Sequence, residues 1–85
     1  MGREDIMGVL TSAARQRATV ALSFNRDGET TAAEVEPYSV LKRSGVLTLF
    51  CWDTTGNRIV GLPVDKLVKA RPTSHMFNPR YNIEL

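Results

Sequence analysis

Apolar positions near the N-terminus recur at helical spacing and then switch to a period of two. Ile6, Met7, Leu10, Ala13 and Ala14 form one stripe, with Glu4, Arg15 and Gln16 toward the other face. That spacing predicts an amphipathic helix over about residues 5–17. Acidic residues at its start and arginines at its end suit the helix dipole, while Gly8 weakens it by about 1 kcal/mol relative to alanine. From Thr19 onward, Val20, Leu22 and Phe24 alternate with Thr19, Ala21 and Ser23, the pattern of a half-buried strand.

Turn chemistry divides the rest of the chain. Asn25-Arg26-Asp27-Gly28 predicts a hairpin turn with glycine at a positive φ. The return strand, Glu29–Glu36, sets Thr31, Ala33 and Val35 on one face. Pro37 cannot donate to a ladder, so the chain bends or lies on an edge there before a second extended piece, Tyr38–Leu41. After the turn Lys42-Arg43-Ser44-Gly45, the run Val46–Trp52 is apolar on both faces and reads as the central strand. The turn Asp53–Asn57 leads to a strand at Arg58–Leu62, and Pro63–Leu67 suits one tight helical turn with proline at its start. Val68–Pro72 makes a last short strand, and a tail runs from Thr73 to Leu85. One helix followed by about five short strands predicts a mainly β fold. The expected form is a small five-stranded SH3-like (Sm-like) barrel with one N-terminal α-helix across an opening. Its leading core positions are Leu22, Phe24, Val35, Leu47, Leu49, Val64 and Leu67.

Eighty-five residues leave no room for a Rossmann domain or a TIM barrel. The net charge is only +2, but it is unevenly spread. Residues 1–41 hold four basic side chains against six acidic ones, whereas residues 42–85 hold seven against three. A basic second half points toward a polyanionic partner. One cysteine and one histidine cannot supply a disulfide framework or the usual zinc ligand set, so neither metal nor cofactor is expected. The N-terminus lacks the apolar run of a signal peptide, no segment is long enough to span a membrane, and a free Cys51 suits a reducing compartment. A cytoplasmic protein without a membrane partner is the expectation.

Nucleophilic and acid–base chemistry finds little support. No serine lies in a Gly-x-Ser-x-Gly elbow, no glycine-rich phosphate loop is present, and His75 has no carboxylate near it in sequence. Asp53 and Asp65 have ordinary places at a turn and a helix start. No enzyme is expected. Tyr38 and Trp52 are the candidate stacking surfaces for a base, and Phe50 reads as core. Lys42, Arg43, Arg58 and Lys66, with Lys69 and Arg71, are the candidate phosphate contacts.

Four segments in order resemble the WYL domain, a bacterial SH3-like or Sm-like barrel. They are Val35-Glu36-Pro37-Tyr38-Ser39-Val40, Leu49-Phe50-Cys51-Trp52-Asp53, Leu62-Pro63-Val64-Asp65-Lys66-Leu67 and Phe77-Asn78-Pro79-Arg80. The triplet that names the family falls on Leu47-Thr48-Leu49, keeping its last member. Two basic family positions fall on Ala33 and Val60, with Arg58 on the same strand face as the latter, and a third is kept as Lys66. The resemblance implies one WYL-like domain over residues 1–85, either standalone or part of a longer chain. It implies a non-catalytic regulatory module that binds single-stranded nucleic acid or a nucleotide-like anion. Such modules occur in transcription regulators beside a winged helix, or attached to helicases. Lys66 should lead the contacts, with Tyr38 beside it. The alternative is a structural module that associates with itself through edge strands or through the apolar stripe of the helix, as a homodimer.

Overall fold

The computed structural model describes residues 1–85. Helix α1 spans Arg3–Gln16 and buries Ile6, Leu10, Ala13 and Ala14 against the sheet. The helix stripe is therefore spent inside the chain and offers no dimer face. Glu4 and Asp5 lie in its first turn, and Arg17 closes its C-terminus in the left-handed region at φ 55°.

Five strands come after the helix: β1 (Ala18–Arg26), β2 (Glu29–Arg43), β3 (Val46–Asp53), β4 (Arg58–Pro63) and β5 (Leu67–Met76). A single 3-10 turn, Val64–Lys66, joins β4 to β5. All neighbours are antiparallel in the order β4-β3-β2-β1-β5. The two hairpin turns pair positive φ at Asp27 and Gly28, and at Ser44 and Gly45, as two-residue turns that match strand twist require. The fold is mainly β, as expected. Its curvature is barrel-like, but no ladder joins β4 to β5, so the sheet stays open along that seam.

Strand β2 explains the curvature. At about 3.3 Å per residue, its 15 residues would extend about 50 Å if straight, yet the longest dimension of the molecule is 32 Å. It bends by changing partners: Glu29–Val35 pair with β1 and Val35–Arg43 with β3, so Val35 alone has both Val20 and Asp53 opposite it. Pro37 falls just past the β1 ladder, where its missing N–H breaks no bond to β1, and at a bulge toward β3 that leaves Tyr38 without a partner there.

Several expectations need correction. The Glu29–Glu36 and Tyr38–Leu41 pieces are one strand, and the central place in the sheet belongs to β2 rather than to Val46–Trp52. The last strand continues to Met76 because β1 pairs with it as far as Ala18. In β3, Leu49 and Cys51 point into the core and Phe50 is only half-buried. A run apolar on both faces does not itself say which face is inside. Leu47 is also half-buried, since it lies on the β2–β3 hairpin beyond the last residue of β4. The other six expected core residues are buried.

Candidate functional site

Because β2 leaves β1 for β3 at Val35, the β1–β2 hairpin diverges from β3 and β4, and a cleft of about 170 Å³ opens between them. Its floor is apolar: Phe24, Val35, Val60 and Leu62. Arg26, Arg58, Thr31, Thr55 and Asp53 ring it. The molecule has three ion pairs, Arg3–Asp65, His75–Glu34 and Arg80–Glu36, and neither Arg26 nor Arg58 takes part in one. Asp53 lies opposite Arg58 in the β3–β4 ladder and tempers its charge without forming an ion pair. Its Oδ1 accepts the N–H groups of Thr55 (2.9 Å) and Gly56 (3.2 Å) and so holds the β3–β4 turn.

Two grooves adjoin the cleft. One, of about 290 Å³, shares Phe24, Arg26 and Leu62 with it and adds Lys66. The other, of about 410 Å³, meets it at Ala32, Ala33 and Thr55 and crosses the outside of β1 and β2. Ala21, Ser23 and Ala32 leave its floor low, while Lys69 and Arg71 stand along one side and Glu34 on the other. Neither Lys69 nor Arg71 has an ion-pair partner.

The candidate site residues therefore separate into three places. Arg58 and Lys66 border the cleft and its adjoining groove, linked by Arg26, which the sequence pattern places in a turn without marking it as a ligand contact. A signal for it does exist in the pattern: at period two, Arg26 shares a strand face with Leu22 and Phe24. Lys42 and Arg43 are exposed at the β2–β3 hairpin and line none of these clefts. Tyr38 and Trp52 are elsewhere again, beneath the C-terminal segment, and Tyr38 shares no cleft with Lys66.

That segment is no loose tail. Phe77 is buried and meets the Tyr38 ring edge-on at 5.8 Å, and Tyr81 does the same at 5.2 Å. The Tyr38 hydroxyl donates to Glu36 Oε1 and accepts the Arg80 N–H at 3.0 Å. Arg80 Nε reaches Glu36 Oε1 at 3.3 Å, with its guanidinium 4.4 Å from the Trp52 ring centre. Burial, reinforced by the Glu36 carboxylate, pushes the Tyr38 phenol up to about 12. No signal in the sequence joins Glu36 to Arg80.

His75 is likewise not alone. Its Nδ1 lies 2.9 Å from Glu34 Oε2, which also accepts the Thr19 hydroxyl at 2.7 Å. The Thr19 bond first, then His75, holds the Glu34 carboxyl below its ordinary value. Asp53 and Asp65 do not come together, since Asp65 pairs with Arg3. No group of three His, Cys, Asp or Glu side chains converges, and no helix is long and apolar enough to cross a membrane.

The family model described as "WYL domain" matches residues 5–72. No curated protein matches the chain. Among solved structures, proteasome accessory factor B/C (PafBC) of Arthrobacter aurescens is similar, with a TM-score of 0.79 at 12% sequence identity. The match covers 95% of this chain and 14% of that one. At that identity the likeness is one of fold.

Proposed function

The chain belongs to the WYL domain family, and from that premise we propose that it is a cytoplasmic, non-catalytic regulatory module. Its ligand is an anion: a single-stranded nucleic acid or a nucleotide-like molecule. The observation that carries the reading is the cleft between the β1–β2 hairpin and β3–β4, where Arg26 and Arg58 border a solvent-open space, neither of them in an ion pair and with Asp53 the one carboxylate on the rim. Guanidinium groups bind phosphate through paired N–H donors, which makes them suited to this task.

Lys66 extends the cationic border on one side, and Lys69 and Arg71 extend it on the other. A path through all five is longer than one phosphate needs, which favours an oligonucleotide over a mononucleotide. No aromatic ring lines the Lys69–Arg71 groove, so binding there follows the backbone and is indifferent to sequence. Tyr38 is enclosed and supplies no stacking surface while the C-terminal segment is docked. In a longer protein the module would report to an attached regulator or helicase domain.

Fluorescein-labelled dT10, titrated at several salt concentrations, tests the reading. Single-strand affinity should fall with log salt by about 0.7 log units per phosphate contact. Arg26→Ala and Arg58→Ala should each weaken binding and lower that slope by about 0.7, with Lys66→Ala acting in the same direction. Absence of binding at low salt, or indifference to all three substitutions, would refute it.

A second reading, self-association, rests on an asymmetry between the two sheet edges. β5 carries Lys69, Arg71 and Pro72 and two register irregularities, devices that blunt an edge. β4 presents four uncharged residues, Ile59-Val60-Gly61-Leu62, between Arg58 and Pro63 and without a bulge against β3, and Ile59 is 46% exposed. Sedimentation over a range of concentrations distinguishes a β4-paired homodimer from a monomer, and Ile59→Lys should dissolve such a dimer.

A further inference from the structure

We infer that the C-terminal segment, residues 77–85, reads out occupancy of the cleft; this rests on the anion-binding reading. β2 and β3 carry two rungs, one residue apart, that face opposite sides of the sheet. Val35 opposite Asp53 lines the cleft. Glu36 opposite Trp52 holds Arg80 on the far side. Successive strand residues point to opposite faces of one stiff backbone, so a change of twist at one rung turns the other.

The segment is built to sense that second rung. It has no regular secondary structure. Beyond Phe77, its polar contacts converge there: Arg80 on Glu36 and Trp52, the Arg80 N–H on the Tyr38 hydroxyl, and the Glu84 N–H on the Tyr38 carbonyl at 2.8 Å. The last of these depends on the β2 bulge, since Tyr38 has no partner in β3. A change in that rung's geometry therefore acts first on Arg80, in the middle of a segment whose two ends stay packed on the body through Phe77 and Leu85. A docked segment clamps Glu36 and Trp52 and so presets the wall formed by Val35 and Asp53. A ligand that needs this wall ordered then loses less entropy on binding. By thermodynamic reciprocity, the bound ligand tightens the segment to the same degree.

Trp52 is the sole tryptophan and lies on the face away from the cleft, so its emission reports the segment rather than the ligand. Wild type, Arg26→Ala, Arg58→Ala, Lys66→Ala and Arg80→Gln are titrated with labelled dT10 at several salt concentrations, and Trp52 emission is followed separately with unlabelled dT10. The wild-type emission should shift on binding. Arg80→Gln should bind about fivefold or more weakly with an unchanged salt slope. If wild type binds and at least one alanine variant is impaired, but Arg80→Gln binds like wild type or Trp52 emission stays constant, the coupling is wrong and the anion site stands. A reduced salt slope in Arg80→Gln makes Arg80 a direct phosphate contact and also overturns the coupling. If wild type does not bind at low salt, or Arg26→Ala, Arg58→Ala and Lys66→Ala all leave binding unchanged, the anion reading fails and takes the coupling with it.

Discussion

The Tyr38 hydroxyl donates to Glu36 Oε1 at 2.6 Å, and both residues are nearly closed to solvent, at 2% and 4% exposure. A carboxylate in that position must be hydrogen-bonded, because an unsatisfied buried charge is far more costly than a buried neutral group. Tyr38 and Arg80 together meet that need, which ties the middle of β2 to the end of the chain.

Removing the phenol hydroxyl should therefore be felt. Tyr38→Phe should cost about 1–3 kcal/mol in urea unfolding near neutral pH, the range for leaving a buried partner unsatisfied. The same bond predicts alkaline behaviour. The phenol pKa is raised from 10.0 to about 12, so its contribution is fully present below pH 10 and is lost as pH rises through 12. Urea midpoints should decline across that window less steeply in Tyr38→Phe than in wild type. Parallel declines would show that the phenol does not titrate as its burial requires.

Glu34 works at the opposite end of the scale. Its pKa is lowered from 4.5 by the Thr19 hydroxyl and His75, so its contribution is present above that value and disappears as pH falls through the lowered one. Glu34→Gln should flatten the acid limb of the stability profile, and Thr19→Val should do so in part. An acid limb unaltered by both substitutions would assign the acid sensitivity to other carboxylates.

Cys51 is 0% exposed, and burial pushes its thiol up to about 12. The thiolate is the nucleophile, so native protein should resist maleimide or a disulfide reagent at pH 8 and react on denaturation. Rapid labelling of native protein would mean that β3 opens far more readily than its place in the core allows.

Arg17 ends α1 at φ 55°, a conformation that costs a non-glycine residue roughly 1–2 kcal/mol. Its backbone, not its side chain, makes the capping contacts: its N–H reaches Ala14 O at 3.1 Å and its carbonyl accepts the Phe77 N–H at 2.9 Å. Arg17→Gly keeps both. It should raise Tm by several degrees, since about 1 kcal/mol shifts the midpoint of a domain this size by about 4–8 °C. A lowered Tm would mean that the arginine side chain stabilises the helix end more than its backbone strains it.

Ile6, Leu10, Ala13 and Ala14 repeat at helical spacing, and Val20, Leu22 and Phe24 repeat at strand spacing. These patterns are readable because each is a property of a few consecutive residues on one element. The turns at Asp27-Gly28 and Ser44-Gly45 are readable for the same reason, as positive φ is a local demand that glycine meets. The side that Phe50 takes is not readable, because a strand with apolar residues on both faces has no local mark for its inner face. Which side is buried depends on where α1 and the other strands lie.

The chain's own pattern thus determined a helix, the strands, both two-residue turns and a mainly β class. Tertiary structure alone decided that Arg26 meets Arg58 at one cleft, that His75 meets Glu34, and that Arg80 closes over Glu36 and Trp52. The reason is physical. Each of those meetings joins residues far apart in sequence. The Arg26–Arg58 cleft and the Arg80 closure follow from one event in β2, its change of partner at Val35 and the bulge after Pro37, whereas His75 meets Glu34 across β1, which pairs with both β2 and β5. A proline can announce that a strand will bend, but the direction of the bend, and hence what it brings together, is set by the packing of the whole sheet around its core.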